Sequence, residues 1–184
     1  MAYATAEQLG TLMGRGPEGL AADEIARAQL LLQLAAGVID TATGQSLTLA
    51  SGEVTLDGNG GHRLLLPRWP VVAITSVTVL DEHEEPTELE HGTDYRWTRY
   101  GRLRRVGGRW PHQEQSIIAD VTAGWDPIPD DVVGMNLRLA LAGWENISGK
   151  ESERLGDWNA KWAVPGMLPT TGELNMLSAY QARS

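Results

Sequence analysis

The chain has 184 residues, enough for one domain with tails and a buried core, and no cysteine, which excludes disulfides, zinc–thiolate sites and thiol catalysis. Its formal charge of −9 argues against wrapping nucleic acid, because phosphate binding needs a basic footprint. No apolar run approaches the roughly 18 residues of a membrane span, and the start lacks a signal peptide's basic and apolar regions. The expectation is a protein kept in the cytosol, or in a particle assembled there.

In chain order, Thr5 is placed to cap a short helix over 5–13, with Leu9, Leu12 and Met13 facing inward. GRGPEG then breaks it; without a following Lys-Ser/Thr it reads as a linker and not as a phosphate loop. A second helix is predicted over 22–39, with Asp23 and Glu24 at its positive end. Ile25, Ala28, Leu32, Ala35 and Ile39 form one stripe on it, and Leu31, Leu34 and Val38 a second beside it. Two readings stay open: a helix sunk in its own core, or one that gives its second stripe to a neighbouring subunit.

From 46 to 122 the signal is β. Leu47-Thr-Leu, Glu53-Val-Thr-Leu and the turn Asp57-Gly-Asn-Gly-Gly lead into LLLPRWPVVAITSVTVL at 64–80. Pro67 and Pro70 remove two amide donors, so a turn is predicted between Leu66 and Val71, with Trp69 held out at the corner. In the following strand the apolar parity changes between Ile74 and Val77, as in a strand buried on both faces or one bulged near Thr75. Seven acids and no base follow over 81–94, then six arginines and no acid over 95–110. These are expected to attract each other across a hairpin or between copies, or the arginines with Trp97, Tyr100 and Trp110 to stack on single-stranded nucleic acid. Short strands are predicted over 95–98, 102–106 and 116–122.

Pro129, Asp130 and Asp131 open a third helix over 130–147, again with two stripes, Val133/Leu137/Ala140/Trp144 and Val132/Met135/Leu139/Ala142. The polar stretch beyond carries Trp158 and Trp162, and Thr170-x-x-Glu173 is a capping box opening a last short helix through Tyr180. The histidines His62, His83, His91 and His112 are scattered, with no H-E-x-x-H spacing, and there is no G-x-S-x-G elbow. His83 in Asp-Glu-His-Glu-Glu is better read as a solvated acidic loop than as a metal site.

Taken together, the order LLLPRWPVVAITSV, GTDYRW, GRLRR, Trp110-Pro111, VTAGWDPIPDDV and SERLGDW resembles the head-to-tail connector (adaptor) proteins of long-tailed double-stranded DNA bacteriophages. The resemblance covers about 22–162. It implies a virion protein of the neck, assembled in the host cytoplasm, forming a ring of twelve copies beneath the portal. Such a ring extends the DNA channel without sequence-specific binding and offers a platform to the head-closure (stopper) protein. No enzyme activity, cofactor, metal or membrane is expected. The other readings are a different structural tail or neck protein, such as a tail terminator or baseplate component, and a small metal-dependent hydrolase using the acidic loop.

The expected fold is α+β: a helical bundle with an inserted antiparallel β region and an extended C-terminal arm. The expected segments are 1–21, an adaptor domain over 22–148, and the arm over 149–184. The subunit interface is expected at Leu31, Leu34, Val38, Val132, Met135, Leu139, Arg102, Arg104 and Arg105. The portal-binding arm is expected to use Leu155, Trp158, Trp162, Leu174, Leu177 and Tyr180.

Overall fold

A computed structural model describes residues 2–15, 19–146 and 166–182, and the backbone of 152–155 and 158–161. The class is α+β, with a β region inserted between helices. The chain divides into two units, one formed by residues 1–44 and 127–181, the other by residues 45–126.

The first unit is helical. Thr5 caps α1 (Ala6–Leu12): its hydroxyl accepts from the Gln8 amide while the Gln8 side chain accepts from the Thr5 amide. Leu9 is buried, but Leu12 points to solvent. Helix α2 (Ala22–Thr43) starts with Glu24 accepting from the Ala21 amide at 3.0 Å and from Arg15. It runs one turn beyond the expected end, because the hydroxyls of Thr41 and Thr43 bond back to the carbonyls of Gly37 and Ile39. The helix stops at Gly44, which takes the left-handed conformation.

On α2 the buried positions are 28, 31, 32, 35, 36, 39 and 43, one continuous i, i+3, i+4 face. Helix α3 (Asp130–Glu145) buries 132, 135, 136, 139, 140 and 143 in the same rhythm. The polar member of that face, Asn136, is fully buried and satisfied: its Nδ2 donates to the Leu32 carbonyl at 3.0 Å and its Oδ1 accepts from the Ala4 amide at 3.1 Å. Asn136 therefore ties the N-terminal segment and both long helices together. Gly143 lets Met167 approach α3, since a Cβ there would lie 2.8 Å from the Met167 side chain.

The C-terminal helix α4 (Thr171–Leu177) opens with the Thr170/Glu173 capping box and ends in a 3₁₀ turn at Ser178–Tyr180. Between α3 and α4 lies a two-stranded antiparallel hairpin, Ser152–Leu155 with Trp158–Lys161.

The second unit contains β1 (Ala50–Leu56), β2 (Arg63–Leu65), β3 (Val71–Leu80), β4 (Pro86–Glu88), β5 (Tyr95–Trp97), β6 (Arg102–Arg105) and β7 (Ile117–Ala123). They form an antiparallel four-stranded sheet in the order β1-β7-β3-β4 and a three-stranded sheet in the order β2-β6-β5. Strand β7 is central, and its residues alternate between buried and half-buried. Along β3 the register with β7 slips twice, at Val72 and at Thr75. The slip at Thr75 is the bulge that the change of parity predicts. One core is shared by residues of both sheets, including Val77, Tyr95, Leu103 and Ile117, together with Trp110 from the loop before β7.

At the elbow the Trp69–Pro70 peptide is cis. Trp69 is packed and not held out, with ring centroids 5.1 Å from Trp125 and 6.1 Å from Tyr100. Arg68 fixes the turn by donating from Nη2 to the carbonyls of Ser46 at 3.1 Å and Thr48 at 2.6 Å. Leu47 and Thr48, expected in a strand, contribute a single bridge between Thr48 and Trp125.

Candidate functional site

The features with functional chemistry lie on surfaces. In the three-stranded sheet Arg104 is in register with Arg63 on one side and Arg96 on the other. Directly paired residues share a face, so three arginines form one cross-strand row, with Arg102 opposite Leu65 a step along. The reverse face carries Leu64, Leu103 and Trp97, and it packs into the core. Arginine thus alternates with leucine along β6 because one face is dry and the other wet.

Arg63, Arg96, Arg102, Arg104 and Arg109 are exposed. Among the described residues none of them has a carboxylate within ion-pair distance. A cleft of about 560 Å³ beside the row is lined by His62, Arg96, Arg104, Arg105 and Arg109.

Arg105 belongs to the other parity. Its guanidinium lies 3.8 Å from the Asp94 carboxylate, donates to the Asp94 carbonyl at 3.2 Å and sits 5.8 Å from the Trp110 ring. The expected grouping of Arg102, Arg104 and Arg105 is thereby split. The expected pairing of the acidic with the basic segment reduces, among the described residues, to this one ion pair. The cause is topological: the acidic segment supplies β4, which pairs with β3 in the other sheet.

The acidic tip is a built turn. The Asp81 carboxylate accepts from the His83 amide at 2.8 Å and the Glu85 amide at 2.9 Å, and Glu84 has φ 63°. This knuckle leaves Glu82, Glu84, Glu85, Glu88 and Glu90 exposed. Glu88 and burial together push the Tyr95 phenol up, burial contributing more. The histidines do not converge: His62 shares a 2.7 Å hydrogen bond with the Gly108 carbonyl, and the His91 ring lies 5.5 Å from that of Tyr95, tilted by 60°. Among the described residues no three His, Asp or Glu side chains group as metal ligands, and no helix is long and apolar enough to cross a membrane.

In the helical unit the structure divides the expected interface set. Leu31, Val132, Met135 and Leu139 are at most 5% exposed and form the unit's own core. On α3 the buried Asn136 shares that face with them. The stripe of Val133, Leu137 and Trp144 is only half-buried. What α2 leaves outside is Leu30 and Leu34, 56% and 50% exposed, with Val38 beside them, and Ile25, expected on the inward stripe but exposed in the first turn. Leu34 and Val38 line an apolar groove with Gly37, Pro169 and Leu174.

Of the expected arm residues, Leu174 is exposed, while Leu177 is only 1% exposed and belongs to the core. Tyr180 donates to the Asp131 carboxylate at 2.8 Å, and burial followed by that carboxylate pushes its phenol up to about 12. Glu173 holds Arg138 in a bidentate pair. Burial would raise the Glu173 carboxyl, but bonds from Thr170 and Arg138 outweigh it and hold the group below its ordinary range. Residues 166–181 are therefore committed to the helical unit. The Trp162 side chain, and those of Leu155 and Trp158, lie outside the described residues.

No family model matches the chain, and no curated protein matches it. Among solved structures it is similar to a chain in the neck of an empty gene transfer agent (GTA) particle computed with C6 symmetry. The identity is 20% and the TM-score 0.63, covering 97% of this chain and 91% of that one. A chain of the virion of a native GTA particle matches at 20% identity and TM-score 0.61, covering 93% of this chain and 84% of that one. A chain in the neck of a native GTA particle computed with C12 symmetry matches at 17% identity and TM-score 0.58, covering 97% and 90%. These likenesses establish a shared fold across nearly the whole chain.

Proposed function

We propose that this chain is a structural subunit of a phage-type neck, the adaptor ring that sits beneath the portal, extends the DNA channel and carries the stopper protein. The observation that carries the reading is the near full-length fold likeness to chains of C6- and C12-symmetric necks. Twelve copies satisfy both symmetries. The ordered motifs from LLLPRWPVVAITSV to SERLGDW, which resemble the connector family, support the same role independently of the fold.

A closed ring repeats one heterologous contact, so each subunit needs two different complementary surfaces. The exposed Leu30 and Leu34 on α2, the arginine row and the acidic knuckle supply surfaces of that kind. Leu155, Trp158, Trp162 and the exposed Leu174 are left as the portal contacts of the expected arm, since Leu177 and Tyr180 are held by their own unit. DNA slides past an acidic wall without sticking, which suits a chain of charge −9.

Mixing the purified chain with the portal of its own particle and imaging the product tests this. The expected result is a twelvefold ring seated on the portal. A monomer that ignores portal but joins purified tail tubes overturns it in favour of a tail protein.

A further inference from the structure

We infer that the outer face of the β2-β6-β5 sheet is the socket for the acidic knuckle of a second copy, so that neighbouring subunits are joined by the arginine row on one and residues 81–90 on the next. This rests on the ring reading and names the partner for one of its surfaces.

Three features carry it. The first is the arginine row. Arg63, Arg104 and Arg96 stand in consecutive register across three strands, with neighbouring Cβ atoms about 5 Å apart. Like charges placed directly opposite oppose sheet formation, and hydration offsets only part of that. Among the described residues no carboxylate of the same chain comes to relieve them. An anionic surface laid over the row converts that repulsion into attraction.

The second is the shape of the acid donor. Asp81 spends its carboxylate on the amides of His83 and Glu85, so the turn is fixed from within. Glu82, Glu85, Glu88 and Glu90 stand exposed around it and pair with no cation among the described residues. The backbone that presents the charges is thus fixed on both sides, by the Asp81 turn and by the strand ladder, which lowers the ordering cost of contact, and planar guanidinium suits bidentate capture of carboxylate.

The third is topology. The knuckle lies at β3 and β4, the edge of one sheet, whereas the row occupies the outer face of the other. Each copy therefore carries both halves of the contact on separate surfaces, as a ring requires. A DNA phosphate backbone is the competing occupant. The chain's charge of −9 and the unpaired acids in the same unit favour a protein carboxylate surface.

The test is a charge swap read by native mass spectrometry at low salt, with and without portal. One variant carries Arg63→Glu, Arg96→Glu and Arg104→Glu; the other carries Glu82→Arg, Glu85→Arg and Glu90→Arg. Each alone is expected to associate at least tenfold more weakly than the wild type, with an unchanged melting temperature. An equimolar mixture is expected to recover rings containing both, because each reversed knuckle then faces a reversed row. Variants that assemble alone as the wild type does, or a folded mixture that stays dissociated, overturn the socket and leave the ring standing. A row variant that assembles normally but loses affinity for a short DNA duplex assigns the face to phosphate and also overturns it. A wild type that forms no ring even with portal overturns the ring reading itself.

Discussion

Arg138 on α3 grips the carboxylate of Glu173 on α4, and the same carboxylate accepts the amide and hydroxyl of Thr170. One acid thus caps its own helix and anchors it to another. Glu173→Gln is expected to cost about 1–2 kcal/mol at neutral pH, the range for losing a charge-assisted bond and part of a cap. Because the folded carboxyl is held below its ordinary range, the stability it contributes is present above the unfolded value and is lost as pH falls through the lower, folded one. Urea melts of the two proteins at neutral and acid pH should therefore converge towards acid. A difference independent of pH would show that the ion pair is not its source.

Tyr180 gives the opposite sign. Its phenol is pushed up to about 12 by burial and by Asp131. The contribution is fully present below the ordinary tyrosine value near 10 and fades as pH rises through the folded value. Tyr180→Phe should remove a step near pH 12 from the tyrosinate absorbance titration and lower stability at neutral pH, with the difference shrinking in strong alkali.

Gly124 has φ 123°, and a Cβ on it would lie 2.4 Å from the Thr48 carbonyl oxygen. Both the backbone and the space require glycine, since neither a flexible side chain nor an allowed L conformation offers relief. Gly124→Ala is expected to cost roughly 2 kcal/mol or more in melts of the full chain. A cost under about 0.5 kcal/mol would mean that the Thr48 strand lead moves freely.

Much of the architecture follows from local chemistry that sequence displays. Thr5 and Thr170 are caps with the right partner three residues on, and the parity change at Thr75 is a bulge. Legibility failed where a residue's environment is set by distant chain. Asn136 is polar, yet it sits in the α3 core face because the Leu32 carbonyl and the Ala4 amide come to it, partners that the stripes of the helix do not reveal. Val132, Met135 and Leu139 of one α3 stripe are therefore core, while Val133, Leu137 and Trp144 of the other are half-buried. The charge blocks read as a hairpin because they are adjacent in sequence. Strand pairing instead sends the acidic one to β3, and no local pattern announces that choice. The commitment of Leu177 to the core was hidden for the same reason: a short apolar helix looks alike whether or not something covers it.

The exposed apolar stripe of α2 is the part of the ring reading that one substitution reaches. Leu34 is half exposed on the rim of the groove shared with Val38 and Leu174, so a charge there is solvated in an isolated subunit and costs little folding stability. Buried between copies, the same carboxylate would be unpaired in an apolar contact, where desolvation costs several kcal/mol. Leu34→Glu is therefore expected to leave the melting temperature of the monomer within a few degrees of the parent while sharply reducing ring yield on portal. Equal ring yields would place α2's outer stripe away from the subunit contact. A collapse in monomer stability would show instead that the groove is covered by the chain's own residues.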